Sequence, residues 1–181
     1  MKKLLFAPAM AALLFLASCG GNESSDNQTA APADTATEAA AADAPGTDIP
    51  GIDTVNTTDH IQVEGMDNMR FDKTLFKIKA GQDVKLTLKN VGKLPKEAMS
   101  HNVVILAQGT DVQAFGEAAV PAAATDHIPA SMSSDVVAHT KLLGPGESET
   151  ISFKIADPGV YDFICSFPGH FATMRGQIVV E

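Results

Sequence analysis

The feature that most constrains the fold of this chain is a series of short segments, between residues 60 and 180, in which apolar and polar residues alternate. The clearest is residues 84–89, where every second side chain is apolar, as in a strand with one buried face. Gly- and Pro-containing turns, such as residues 144–146 and 157–159, separate these segments. With about seven or eight short strands and no regular alternation of strands and helices, the sequence predicts an all-β Greek-key β-sandwich.

The predicted elements follow from these patterns. In chain order, the predicted strands are residues 60–63, 75–78, 84–89, 101–106, 134–141, 149–156, 160–165 and 177–180. The segment 101–106 is mostly apolar and β-branched, so we expect it to be buried on both faces. Residues 112–120 predict one short helix, which Pro121 ends. We find no internal repeat, and we expect a single folded domain over residues 59–181.

The first 18 residues have the pattern of a secretory signal. Lys2 and Lys3 precede an apolar run that is too short to span a bilayer as a helix, and small residues then lead to Cys19. Cys19 in this position resembles the lipidation box of bacterial lipoproteins. We therefore expect export, followed by anchoring to a membrane through lipid on Cys19. Gly20 favours the outer membrane, with the protein facing the periplasm or the cell surface.

Residues 19–58 are rich in Ala, Asp, Thr and Pro, with almost no large apolar residue and no aromatic one. Such a segment cannot bury enough surface to offset the entropy of ordering, so it predicts a disordered tether. The formal net charge of -9 comes mostly from this region, because no Lys or Arg occurs between Lys3 and Arg70. We expect the acidity to solvate and extend the tether. The chain has no basic patch with interleaved aromatic residues, which argues against a nucleic-acid partner.

The residues with metal-binding chemistry are concentrated near the C-terminus. Cys165, His170 and Met174 follow one another on a predicted loop between two strands, and His101 lies far upstream. Two His and one Cys, completed by a weak axial Met, form the site that holds copper for electron transfer. The sequence has 2 cysteines. If Cys19 carries lipid, Cys165 has no disulfide partner, and a metal would protect its thiol in an oxidising compartment.

The spacing C-x4-H-x3-M around the sequence CSFPGH resembles the copper loop of azurins, which belong to the cupredoxin family of type 1 blue-copper proteins. The corresponding loop of plastocyanins has different spacings. Residues 94–102 and 137–142 resemble two further azurin segments, in the family's order. The resemblance therefore runs through most of residues 59–181.

The resemblance implies a ligand set for one type 1 copper ion that cycles between Cu(I) and Cu(II). Cys165 would bind through its sulfur, His101 and His170 through neutral imidazoles in the same plane, and Met174 as the weak axial ligand. The backbone carbonyl of Ser100 would lie on the opposite axial side, at a position where azurins usually have Gly.

The resemblance also implies supporting residues. Asn102 matches the family's Asn that ties the two ligand-bearing segments together, and the Phe167 N–H is expected to donate to the thiolate. Asn90 replaces a buried, titrating His of the family, so the corresponding pH switch should be missing. Asp59 and Gly81 stand where azurins usually have a disulfide, so this chain must rely on its core alone.

The function implied is single-electron transfer between periplasmic or membrane redox proteins, such as c-type cytochromes or copper reductases. Docking is expected through an apolar patch around His170. The residues that could form this patch are Met69, Leu94, Ala98, Met99, Phe167, Pro168 and Gly169. For Met69 and Ala98, burial in the core is an equally good interpretation.

Alternative interpretations remain open from the sequence. The same ligands would serve a protein that holds copper or protects against copper and oxidative stress. Cys165 and His170 could be a nucleophile and its base, although the intervening Pro-Gly turn and the following Met argue against this. We do not expect an enzyme, because the ligand set leaves no open position for a substrate. His60 and His127 are expected to be solvated, and His139 matches a surface His of azurins.

Overall fold

The structure, a computed structural model, describes residues 49–181. The predicted signal peptide and the predicted tether as far as residue 48 lie outside the described residues. The strands and the one α-helix of the described part are β1 (His60–Met66), β2 (Arg70–Phe71), β3 (Leu75–Ile78), β4 (Asp83–Asn90), β5 (Val104–Leu106), α1 (Val112–Ala119), β6 (Val136–His139), β7 (Ser148–Lys154), β8 (Gly159–Ile164) and β9 (Arg175–Val180). Among residues 49–181, no helix has the length and apolar character needed to cross a membrane.

The strands form two sheets. One has four strands in the order β2-β1-β4-β7, and the other has five in the order β3-β9-β8-β5-β6. Strands β1 and β4 pair in parallel, as do β3 and β9, and the other pairs are antiparallel. The predicted all-β sandwich is confirmed, with nine strands over residues 49–181. The additional strand is β2, whose two residues are too few to produce an alternating pattern in the sequence.

The main core combines residues from both sheets. In β4, exposed and buried residues alternate, and Val84, Leu86 and Leu88 are at most 1% exposed. Phe163 of β8 and Ile178 of β9 belong to the same cluster. Burial of side chains of this size contributes roughly 1.5–3 kcal/mol each, and a slip of one residue would turn every apolar side chain outward. The alternating pattern therefore fixes the register of each strand.

Helix α1 packs with the other face of the five-stranded sheet. Asp111 caps the helix, since its side chain accepts hydrogen bonds from the backbone N–H groups of Gln113 and Ala114. Phe115 of the helix forms a second buried cluster with residues of β5 and β8. As predicted, β5 is buried on both faces, because the main core covers one face and α1 covers the other.

Residues 49–58, which the sequence assigns to the tether, contact the domain. Ile52, in a short 3-10 helix over Ile52–Thr54, is 8% exposed. Thr57 forms a parallel bridge with Lys77, and the Thr58 N–H donates to the Lys77 carbonyl at 2.9 Å. Contacts with the sandwich therefore begin before residue 59.

The two ligand-bearing segments meet at one end of the five-stranded sheet. Strand β5 begins at Val104, and His101 precedes it in an isolated bridge with Leu143 rather than opening the strand, as the sequence predicted. Cys165 follows the last residue of β8 directly. Because β5 and β8 are adjacent and antiparallel, the start of β5 and the end of β8 lie side by side.

Candidate metal centre

Three side chains with metal-binding atoms come together at this end of the sandwich. The ligand atoms of His101, Cys165 and His170 all lie within 4.8 Å of one another. His101 and Cys165 are 0% exposed, and His170 is 2% exposed. The sequence separates His101 from Cys165 by 64 residues, so only the folded sandwich creates this cluster.

The nitrogen that faces the sulfur is Nδ1 in both imidazoles. Cys165 Sγ lies 4.0 Å from His101 Nδ1 and 3.5 Å from His170 Nδ1. A metal ion at the centre of such a triangle, with bonds of roughly 2.3 Å to sulfur and 2.0 Å to nitrogen, would require sulfur–nitrogen separations of about 3.7 Å. The two observed distances lie on either side of this value. The three donors therefore fit one metal ion.

Met174 lies beside the same residues. Met174 is 0% exposed, and its methyl carbon and the His101 ring both lie close to Gly65 of β1. The Cys165 N–H donates to the Met174 carbonyl at 2.9 Å, and the Met174 N–H donates to the His170 carbonyl at 2.8 Å. These backbone bonds close the loop between β8 and β9. They thereby hold the Cys165 sulfur, the His170 ring and the Met174 thioether in fixed relative positions.

The backbone of Ser100 also reaches the site. Its carbonyl oxygen lies 4.0 Å from Cys165 Sγ, and the residue is 0% exposed. The Ser100 hydroxyl turns away and donates to the Lys96 carbonyl. The side chain that replaces the usual Gly of azurins thus leaves the carbonyl free to face the cluster.

Burial keeps the cluster uncharged when no metal is bound. Burial raises the pKa of the Cys165 thiol to about 12, although hydrogen bonds from the backbone N–H groups of Asn102 and Phe167 act in the opposite direction. Burial, and secondarily the charge of His101, lower the pKa of His170 to about 4. The His170 imidazole is therefore neutral near pH 7 and can bind a metal, whereas the thiol must lose its proton when a metal binds.

The second nitrogen of His101 shows how this ring is placed. Burial lowers the pKa of His101, while the Asp67 carboxylate and the Met66 carbonyl raise it. Within residues 49–181, His101 Nε2 is the one buried side-chain polar atom with no partner at normal hydrogen-bond geometry. The Met66 carbonyl therefore lies close enough to the ring to raise its pKa, but it does not form a hydrogen bond of normal geometry with Nε2.

Asn102 connects the two ligand-bearing segments, as predicted. Its side-chain oxygen accepts a hydrogen bond from the Ser166 N–H at 2.8 Å, and its Nδ2 donates to Ser166 Oγ at 2.8 Å. A third bond runs from Nδ2 to the carbonyl of Asp126 at 3.0 Å. Because Asn102 follows His101 and Ser166 follows Cys165, these bonds fix the spacing of the two segments.

Asn90 is buried and fully bonded. Its Nδ2 donates to the carbonyls of Leu143 and Met99 at 3.0 and 3.3 Å, and its Oδ1 accepts from the Gly92 N–H at 2.9 Å. Since an amide does not titrate, Asn90 ties these segments together in the same way at every pH.

Residues 57–181 match the family of copper-binding proteins described as the plastocyanin/azurin family. This chain belongs to that family. The azurin of Bordetella pertussis is 38% identical over 122 residues, which cover 65% of this chain and 81% of that azurin. Outer membrane protein H.8 of Neisseria gonorrhoeae is 42% identical over 122 residues, which cover 65% of each chain. Among solved structures, auracyanin from Roseiflexus castenholzii superposes with a TM-score of 0.62 at 36% identity, over 70% of this chain and 99% of that one.

The cofactor of this cupredoxin is copper. The donor set fits that metal, because two His and one Cys completed by a weak Met are the ligands of electron-transfer copper sites, whereas zinc sites are built from Cys, His and carboxylate ligands. The site is also closed, because its donors are buried and hydrogen bonds join the segments that carry them. A closed site suits a metal that exchanges electrons and does not bind a substrate.

Two residues at the centre were not identified from the sequence. Gly65 lies against His101 and Met174, so closely that an added Cβ would be 2.8 Å from His101 Cδ2. The predicted strand ended at residue 63, whereas β1 extends to Met66, so Gly65 was not recognised as a Gly within a strand, which often marks the close approach of another group. His127 was expected to be solvated, and this was wrong: it is 7% exposed and packs against Phe167.

The other expectations about the surface are borne out in part. His60 and His139 are exposed, as expected. Met69 and Leu94 are 38% and 42% exposed, and Ala98 is also exposed, so these residues do not belong to the core. Apolar side chains are therefore available on the surface near the metal centre.

Proposed function

We propose that this chain is an exported, lipid-anchored blue-copper protein that carries single electrons between redox partners in the periplasm or at the membrane. The observation that carries the proposal is the buried triangle of His101, Cys165 and His170 in a member of a copper-binding family. Copper bound there would accept and release one electron as it cycles between Cu(II) and Cu(I).

Each ligand has a distinct role in this proposal. The Cys165 thiolate and the Nδ1 atoms of His101 and His170 would hold the ion. The Met174 thioether would be a further, weaker ligand, and the Ser100 carbonyl is a proposed additional contact to the ion. Burial and the backbone hydrogen bonds to sulfur support this assignment.

The scaffold supports electron transfer because it resists rearrangement. Electron exchange is fast when the ligands keep nearly the same positions in both oxidation states. The bonds of Asn102 to Ser166 and the closed loop from Cys165 to Met174 restrain all the ligands. With no open position for a substrate, an enzymatic role has no support here.

The proposed exit for the electron is the apolar surface beside His170. The Phe167 ring lies 4.8 Å from the His170 ring and is half-buried, with exposed Met69 and Leu94 contributing to the same predicted patch. A small apolar patch binds weakly and releases quickly, as a carrier requires. We propose c-type cytochromes or copper reductases as the partners.

The proposed location is the outer membrane. The signal-like residues 1–18 and Cys19 support a lipid anchor, and the similar protein H.8 is named an outer membrane protein. Replacing Cys19 by Ala should release the protein into the soluble fraction. Retention in the membrane fraction would count against lipidation at Cys19.

The metal assignment is tested with full-length protein that carries Cys19→Ser, which leaves Cys165 as the remaining thiol. Added Cu(II) should produce an intense blue absorption and the spin-resonance spectrum of a type 1 site. Cys165→Ala should abolish both, and His101→Ala should change them strongly. His139→Ala is the matched control, because that imidazole is exposed and should leave both spectra unchanged.

Kinetics separate the carrier from the copper-holding alternative. Mixing the copper-loaded protein with a reduced c-type cytochrome in a stopped-flow instrument should give rapid bleaching of the blue colour. A colourless copper adduct would refute the site. A blue protein that exchanges electrons slowly with every cytochrome and copper reductase tested would favour copper holding.

A further inference from the structure

Two neighbouring residues, Asp126 and His127, have left-handed backbone conformations, with φ of 52° and 61°. Among residues 49–181, they are the one pair of consecutive non-glycine residues with positive φ. Asp and His tolerate this conformation better than most residues, but it is disfavoured and persists only where the surroundings impose it. The contacts of this turn show what imposes it.

Two hydrogen bonds between Thr125 and Ile128 close the turn, and three more connect Asp126 and His127 themselves to neighbouring groups. The Asp126 carbonyl accepts from Asn102 Nδ2 at 3.0 Å, and the His127 N–H donates to the Ala122 carbonyl at 3.0 Å. His127 Nδ1 lies 2.9 Å from the carbonyl of Ala119, the last residue of α1. A carbonyl can only accept, so Nδ1 carries the proton and the imidazole is oriented by the end of the helix.

The imidazole of His127 then supports a chain of rings that ends at the metal centre. Its ring lies 5.5 Å from the Phe167 ring in an edge-to-face arrangement, at 76°. The Phe167 ring also lies 4.8 Å from the ring of His170. Phe167 is half-buried, so loss of its contact with the His127 ring would leave it freer to move relative to His170.

We propose that His127 is a positioning residue for the copper ligand His170, acting through Phe167. The same turn reaches the other ligand-bearing segment through the bond from Asn102, the neighbour of His101, to the Asp126 carbonyl. The left-handed turn therefore braces both segments against helix α1. This inference rests on the proposed copper site, and it adds a function for a residue that is not itself a ligand.

The test compares two substitutions in the full-length Cys19→Ser protein. His127→Ala removes the ring and the donor. His127→Asn removes the ring but keeps a side chain that tolerates the left-handed conformation and has an N–H group for the Ala119 carbonyl. Asp126→Gly is the matched control, because it relieves the neighbouring backbone and retains the carbonyl that Asn102 binds.

Three measurements report on the position of His170. Competition with a chelator gives the Cu(II) affinity, absorption and spin-resonance spectra report the ligand geometry, and nuclear magnetic resonance of the metal-free protein reports the His170 ring. Loss of groups that orient a metal ligand typically lowers metal affinity by about 10–100-fold. We expect a loss of about tenfold, a shifted spectrum and altered His170 ring resonances in both His127 variants, and none of these in Asp126→Gly.

Several outcomes would overturn the inference. If His127→Asn kept the Cu(II) affinity and the spectra of the unsubstituted protein, the turn and not the His127 ring would position His170. If both His127 variants fail to fold, the metal-free unsubstituted protein decides: nuclear Overhauser contacts between the His127 and Phe167 rings are expected, and their absence refutes the brace. A colourless copper adduct of the unsubstituted protein would instead refute the proposed function, so the two failures are distinguishable.

Discussion

Replacing Gly65 by Ala measures how closely strand β1 packs against the metal centre. The added Cβ would lie 2.8 Å from His101 Cδ2 and 3.1 Å from Met174 Cε. Carbon atoms pack best at roughly 3.5–4.0 Å, so the methyl group is about 0.4–1.2 Å too close to two side chains at once. Both side chains are 0% exposed, and neither can turn toward solvent to make room.

The expected loss of stability follows from this overlap. Inserting a methyl group into a packed core costs roughly 1–3 kcal/mol. Replacing Gly by Ala within a strand regains about 0.5–1 kcal/mol, because the unfolded chain loses less entropy. We therefore expect the free energy of unfolding of the metal-free protein to fall by about 0.5–2 kcal/mol, which lowers the urea midpoint by roughly 0.3–1 M. We also expect weaker copper binding, because the His101 ring must move.

Gly144→Ala is the matched control for this experiment. Its added Cβ would lie 3.1–3.3 Å from three carbon atoms of the Lys96 side chain, which is exposed and can move aside. Urea unfolding should show a clearly larger loss for Gly65→Ala than for Gly144→Ala. Equal midpoints, together with an unchanged blue absorption of Gly65→Ala, would refute close packing of β1 on the ligands.

Three further predictions concern the interior of the site. Asn102→Ala leaves the Ser166 N–H and the Asp126 carbonyl unpaired, each at a cost of roughly 1–3 kcal/mol, so urea denaturation should show a loss of about 2–6 kcal/mol. The pKa of His170 is lowered from 6.5 to about 4 in the folded protein, so as the pH falls this residue takes up a proton in the unfolded protein before it does so in the folded protein. The stability of the metal-free protein should therefore decline as pH falls from 6.5 to 4, as followed by unfolding midpoints. Because burial raises the pKa of Cys165 to about 12, copper binding at pH 7 should release about one proton per ion, measurable with an indicator dye.

Each of these predictions has a clear contrary result. An Asn102→Ala protein with the parent stability would mean that water replaces the lost bonds. A His170→Gln protein that declines with pH as steeply as its parent would assign the acid sensitivity to other groups. Copper uptake without proton release would mean that Cys165 is already a thiolate, or that it does not bind the ion.

The sequence predicted the fold well where the pattern was local. The alternation in residues 84–89 gave the face and burial of β4, and the apolar segment before Gly109 gave the doubly buried strand β5. Errors occurred where the pattern was short or mixed. Strand β2 has two residues, and His101 was placed in β5 although its backbone pairs with Leu143 instead.

The candidate site was predicted to the extent that its residues lie on one loop. Cys165, His170 and Met174 share a spacing that resembles azurins, and His101 lies in a segment that resembles them too. His127 could not have been found in this way, because its importance depends on contacts with Phe167 and the end of α1. Gly65 lies beyond the predicted strand, which ended at residue 63, so it was not recognised as a Gly within a strand.

The sequence alone determined the all-β class, the positions of most strands and the loop that carries three soft or intermediate metal ligands, because these depend on neighbours a few residues apart. Tertiary structure decided that His101 Nδ1 lies 4.0 Å from Cys165 Sγ, that Ser100 turns its carbonyl toward the sulfur, and that the His127 ring packs edge-to-face against Phe167. The physical reason is that ligand geometry depends on the packing of two sheets and a helix, whose contacts join residues tens of positions apart. Local pattern can name the donors, but only the folded core sets their distances.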